Sequence, residues 1–294
     1  MNISTARREY QSVDDASATS IAQLSPEGGA PASGNDISRF SALQLPSLPG
    51  IEETQYTLSG LVTAGIDLIS PFDEALSSAI GIKPAADYLS PLVANWETLQ
   101  PIGKRIGLLS INDFVISQNL TSGTQWLQSL WSKDASQAFG DTVSHLSQLM
   151  TGRSDDLDSV SKIVEYGGAA LERLVYNQAM GLSSGVTQPM SFLGFTLPLG
   201  VWAQTINRPM RDSIKSEITA AIDSLKATTV ARQASMTDII DKISSALQYS
   251  QGRSIPKFDA SDFELPEKIV VNLDTLRYGF GGNTWWEDGI ASAC

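Results

Sequence analysis

The chain has 294 residues, 42% of them hydrophobic and 18% charged, enough for one large domain or two small ones with a real core. Its formal net charge of −12 repels phosphate backbones, which argues against nucleic-acid binding and against a dominant electrostatic pull towards anionic lipid. One histidine, His145, and one cysteine, Cys294, supply neither a His/Cys zinc set nor an intramolecular disulfide.

Residues 1–55 read as a flexible leader. Ser25-Pro26-Glu27-Gly28-Gly29-Ala30-Pro31 is small, polar and rich in breakers, and Leu45-Pro46-Ser47-Leu48-Pro49-Gly50 excludes a regular helix. Residues 1–25 contain charges and no apolar core, so general-pathway export is not indicated. Export by a route that reads folded or helical substrates stays open.

A helical domain is expected over residues 56–252. Leu58, Leu61, Val62, Ile66 and Ile69 recur at helical spacing, and Ser70-Pro71 ends that helix and starts the next, with Ser70 as its N-cap. Gly81 stops the second helix. A first long arm then runs from about Pro84 to Leu130, with Leu92, Trp96, Leu99, Ile102, Ile106, Leu109, Ile116, Leu120, Leu127 and Leu130 as its stripe. That spacing marks the seam of one helix packed on another. Pro101 requires a bend or break near residues 98–101.

The second arm starts near Asp134, with Phe139, Val143, Leu146, Leu149, Leu157, Val160, Val164, Leu171 and Leu174 as its stripe. Thr151-Gly152-Arg153 interrupts it and suggests a kink. Gly167-Gly168-Ala169-Ala170 is either a site of close helix approach or a weak point in the helix. No charge occurs from Leu174 to Asn207. The apolar part of that stretch is shorter than the ~20 residues of a membrane span and carries Pro189 and Pro198, so it reads as a buried connection; an interfacial or inserting segment is the alternative. A last helix spans about Pro209 to Tyr249, with Ile214, Ile218, Ile222, Leu225, Thr229, Met236, Ile239, Ile240, Ile243 and Leu247 on its apolar face.

Residues 253–294 read as an irregular tail. Lys268-Ile269-Val270-Val271-Asn272 has strand character but no evident mate. Tyr278-Gly279-Phe280-Gly281-Gly282 is not a phosphate loop, because no Lys-Ser/Thr follows it. His145 lies in an expected helix, and no triad, metal set or phosphate loop surrounds it; the reading is of a non-enzymatic protein without a cofactor. The expected class is all-α: an elongated antiparallel helical hairpin extended to a bundle.

The bend between the arms is Leu130-Trp131-Ser132-Lys133-Asp134-Ala135, with Ala138-Phe139 behind it. Upstream stand Ser70-Pro71-Phe72, Gly81-Ile82-Lys83-Pro84 and Asn95-Trp96-Glu97. Over residues 68–182 this pattern resembles the longer relatives of the Trp-x-Gly helical-hairpin proteins of actinobacterial type VII secretion, with Lys133 in the place of the motif glycine. Lysine there implies a different turn, or a helix that starts earlier with Ser132 as cap. The family's Tyr-x-x-x-Asp export signal does not follow the second arm. The resemblance implies a secreted or cell-surface protein exported without a signal peptide, or otherwise a cytoplasmic one. It further implies action through protein–protein contacts with a small helical-hairpin partner or a second copy. Trp131, Lys133, Ala135, Phe139 and Trp96 are the turn and interaction residues it points to. The alternative function is a membrane-active, pore-forming or interfacial protein that uses residues 174–207.

Overall fold

The computed structural model describes residues 42–44, 57–250 and 257–270. The rest of the leader, the glycine–aromatic segment 278–286 and Cys294 lie outside the described residues. The protein is an all-α helical bundle with one small two-stranded hairpin. Helix α1 spans Leu58–Ile69 and α2 spans Asp73–Ile80. Short turns follow at Pro84–Leu89, Ser90–Leu92 and Trp96–Thr98. Helices α3 (Leu99–Leu130) and α4 (Asp134–Thr187) form the antiparallel hairpin. Strands β1 (Pro189–Phe192) and β2 (Phe195–Pro198), α5 (Leu199–Thr205) and α6 (Asp212–Leu247) complete it, and a 3-10 turn at Ala260–Phe263 packs back on the bundle.

The entry to the first arm is a set of local stops. Pro71 sits in a separate 3-10 turn over Ser70–Phe72, so Ser70 does not cap α2. Gly81 ends α2 at φ 74°, the left-handed C-cap that glycine takes without a Cβ penalty. Buried Asp73 accepts the Ala85 and Ala86 backbone N–H groups at 2.9 and 3.0 Å, which fixes the turn led by Pro84. The arm expected to begin at Pro84 begins at Leu99. Pro101 therefore falls in the first turn of α3, where a missing N–H costs no helical bond.

The core gathers on the second half of α4. Val160, Val164, Leu171, Val175, Leu182 and Val186 are buried there, and Leu61, Val62 and Ile69 of α1 and Ile218, Ile222, Met236 and Ile243 of α6 are buried in the same core. Gly167 and Gly168 are places of close approach. A Cβ on Gly167 would lie 2.8 Å from the Ile243 side chain of α6, and one on Gly168 would lie 2.8 Å from the Leu99 Cβ and 3.0 Å from the Gln100 N at the start of α3. Helix α4 runs unbroken through Thr151-Gly152-Arg153, where a kink was expected, and reaches Thr187. Phe263 is buried in the core, and the Asn177 amide donates to the Glu267 carbonyl at 2.8 Å and accepts the Ile269 N–H at 2.9 Å. Lys268–Val270, the described part of the Lys268–Asn272 segment, is held in this way and is not a strand; Val271 and Asn272 lie outside the described residues.

The stretch expected as a buried connection is instead the β1–β2 hairpin and α5. Phe192, Leu199, Trp202, Ala203 and Ile206 are buried, but Leu193 and Phe195 at the hairpin tip are exposed. Among the described residues, no helix is long and apolar enough to cross a membrane.

At the base of the hairpin, Glu97 is buried and accepts the Leu58 N–H that opens α1 at 2.8 Å. Glu172 lies nearby. Burial raises its carboxyl above the ordinary range, a hydrogen bond from the Gln100 amide (2.7 Å) offsets part of that rise, and the negative charge of Glu97 adds to it. A carboxyl raised by folding stabilises the native state below its unfolded pKa, and that contribution is lost as pH rises through the folded value. Glu172→Gln is expected to be more stable than wild type at pH 7, and urea denaturation should show the difference shrinking as pH falls towards the unfolded value of 4.5.

Candidate interaction surface

The α3–α4 hairpin is joined by small residues rather than by its leucines. Gly103, Ser110 and Ser117 of α3 and Gly140, Ser147, Ser154 and Ser161 of α4 stand seven residues apart and are all buried. They meet in antiparallel register. Ser161 donates to the Gly103 carbonyl at 2.8 Å, Ser110 and Ser154 each donate to the other's carbonyl at 2.9 Å, and Ser117 donates to the Ser147 carbonyl at 3.0 Å. Thr121 and Thr151 join the Ser117–Ser147 pair at 2.8 and 2.7 Å. A Cβ on Gly103 would sit 2.6 Å from the Glu165 backbone nitrogen. The helices thus approach until hydroxyls bond across to the opposing backbone, and each such buried hydroxyl is satisfied, worth about 1 kcal/mol net per bond.

Val143 of the expected stripe is buried, but at Ile102, Leu109, Ile116, Phe139 and Leu146 the seam lies one residue beyond that stripe, a rotation of about 100° around the helix. Ile102, Leu109 and Ile116 directly precede Gly103, Ser110 and Ser117 and are exposed, Leu109 by 53%; Leu130 at the tip is exposed as well. Phe139 and Leu146 precede Gly140 and Ser147 on α4 and are also exposed, Leu146 by 46%. In an antiparallel pair, equivalent flanking positions of the two helices lie on the same side. The two stripes therefore share one face instead of packing against each other. Within that face, the Arg153 guanidinium holds the buried Asp113 carboxylate through two bonds, at 2.5 and 2.7 Å. Asp113 is the one charged residue between Arg105 and Lys133. The described leader residues touch α3 as well: Leu43 exchanges two bonds with the Asn119 amide, at 2.8 and 2.9 Å.

Four of the five expected site residues meet at the tip. Trp131 ends α3, its N–H bonded to the Leu127 carbonyl at 2.9 Å and its carbonyl accepting the Ser136 hydroxyl at 2.8 Å. Its ring lies 5.9 Å from that of Phe139, tilted by 50°. At 39% exposure, Trp131 braces the outside of the turn rather than filling a core. Ala135 is exposed beside it. Trp96 is the exception. It sits at the other end of α3, a helix about 48 Å long by its 32 residues, where its indole N–H bonds the Leu92 carbonyl at 2.8 Å.

The helix does not begin earlier with Ser132 as its cap. Helix α4 starts at Asp134, and Lys133 takes φ 95° and ψ 177°, a conformation almost restricted to glycine. The position keeps the backbone a glycine would adopt while carrying a lysine side chain. His145 is exposed on α4. Among the described residues, no group of three or more His, Cys, Asp or Glu is placed to hold a metal ion. No family model matches the chain, and no curated protein or solved structure matches it.

Three substitutions test this geometry. Lys133→Gly is expected to stabilise the protein by about 1 kcal/mol, the relief of strain exceeding the added unfolded-state entropy. Gly103→Ala should cost about 1–3 kcal/mol, because its methyl meets backbone, whereas Gly152→Ala, with open space around it, should gain up to about 1 kcal/mol. Chemical denaturation of the three variants measures these effects.

Proposed function

We propose that this is a non-enzymatic recognition protein whose α3–α4 hairpin pairs, through its shared apolar face, with a second helical hairpin to complete a four-helix interface. The observation that carries the reading is the exposure of Leu109, Ile116, Phe139 and Leu146 on one side of a hairpin already closed by small residues. Contiguous apolar surface of this kind marks protein contact sites. The charge-poor run of α3 supports the same reading, because buried interface centres are depleted of charge. The Trp131 elbow and the glycine-like backbone of Lys133 support a setting like type VII secretion, with export that does not use a signal peptide. The partner is a small hairpin protein or a second copy of this chain.

Co-expression with small helical-hairpin proteins encoded beside it, followed by size-exclusion chromatography with light scattering, tests the proposal. A stable complex or a dimer is expected. Leu109→Gln with Leu146→Gln should weaken it at least ten-fold while leaving the fold intact, since both side chains are already in solvent. A chain that stays monomeric with every such partner would contradict the reading.

A further inference from the structure

The exposed face of the α3–α4 hairpin is not apolar throughout. On α4 its outward series steps by seven residues from Phe139 to Leu146 and then to Arg153. Arg153 directly precedes Ser154, which pairs with Ser110, and Leu109 directly precedes Ser110. The arginine therefore shares the level and the side of Leu109. It is anchored: its Nε and Nη2 donate to the two oxygens of Asp113 at 2.5 and 2.7 Å. The pair is lopsided, because the Asp113 side chain is 4% exposed and that of Arg153 is 45% exposed. The carboxylate lies behind and the cation faces outward. Arginine carries five N–H donors, and two of them are spent on Asp113. The other three have no acceptor among the described residues and are left to solvent.

Covering this face, as the hairpin pairing proposed above requires, removes that solvent. The three donors are then buried without acceptors unless the incoming surface supplies them, and an unmade bond to a charged group is costly. A partner helix cannot answer with its backbone, whose interior carbonyls are already bonded along the helix. The acceptor must be a side chain, and a carboxylate meets a guanidinium with forked, charge-assisted bonds. A second copy of this chain has none to offer. Its outward series are Ile102, Leu109 and Ile116 on α3 and Phe139, Leu146 and Arg153 on α4, and Asp113, the one acid of α3, is buried and engaged. One polar residue set in an apolar helix face is a known means of selecting a partner and fixing its register.

We infer, on the basis of that pairing, that Arg153 is the specificity-determining residue of this face and that the face takes a different chain: a helical hairpin whose apolar stripe carries one carboxylate at the level of Leu109. The probe is the small helical-hairpin protein that co-purifies with wild type on co-expression, titrated as pure protein by calorimetry. Asp113→Leu with Arg153→Met removes the ion pair without leaving either charge alone, a replacement that folded proteins tolerate. Circular dichroism and urea denaturation check that the fold is kept. The double variant should bind the probe at least ten-fold more weakly, although its face is more apolar. On the probe, each exposed acidic residue is changed to leucine in turn. One such change should weaken binding to wild type by a similar factor and cost the double variant nothing further. Equal or tighter binding by the double variant, a probe in which no acid matters, or a wild type whose only complex is a dimer of itself would overturn the inference alone. A wild type that forms no complex at all would overturn the pairing and the inference with it.

Discussion

Two long helices can lie as close as α3 and α4 do only where neither presents a large side chain to the other. Gly103, Ser110 and Ser117 face Ser161, Ser154 and Ser147, and the hydroxyls reach the opposing carbonyls at 2.8–3.0 Å. That short reach has a consequence for everything wider. Leucine and isoleucine cannot enter the seam, so they remain on its flanks. The α3–α4 hairpin closes itself with polar, self-satisfying contacts, buries Val115 and Val143, and leaves Leu109, Ile116, Phe139 and Leu146 exposed.

The remaining bundle follows the opposite rule. From Val160 onwards α4 is packed with large aliphatic side chains against α1 and α6, and its glycines serve only to admit a neighbour, as Gly167 does for Ile243. One continuous helix thus carries two kinds of packing. Its second half anchors the fold, and its first half, with α3, is freed from that duty. Non-glycine residues at positive φ occur at Lys133 and Leu193, each in a turn joining two antiparallel elements and each with its side chain in solvent. Local stability is given up at both places for a side chain that the fold itself does not use.

Much of the helical layout was legible. Gly81 and Pro101 marked real boundaries, and on the α6 face Ile218, Ile222, Leu225, Met236, Ile239 and Ile243 are buried as their spacing implied, whereas Ile240 and Leu247, expected beside them, are exposed. The phase of the hairpin seam was legible only in part: Val143, Val160, Val164, Leu171 and Leu174 are buried as their spacing implied, but Ile102, Leu109, Ile116, Phe139 and Leu146 are exposed, because hydrophobic periodicity assigns the core to large aliphatic residues wherever they recur. The true signal was the seven-residue recurrence of Ser110 and Ser117 and of Ser147, Ser154 and Ser161, which composition ranks as surface. The β-hairpin was missed because Leu193-Gly194 is not a usual turn pair, although Met190, Phe192, Phe195 and Leu197 alternate around it. Trp96 was singled out with Trp131 through the resemblance, as part of Asn95-Trp96-Glu97. Its hydrogen bond to Leu92 makes it part of the base.

The central claim is a phase of one residue, and thiol labelling reads it directly. In a chain with Cys294 replaced by serine, single cysteines are introduced by Leu109→Cys and by Ser110→Cys, and each is reacted with a maleimide under native conditions. The account predicts that position 109 labels at nearly the rate of the unfolded chain and that position 110 is protected by orders of magnitude. Protection at 109 with free labelling at 110 would contradict it.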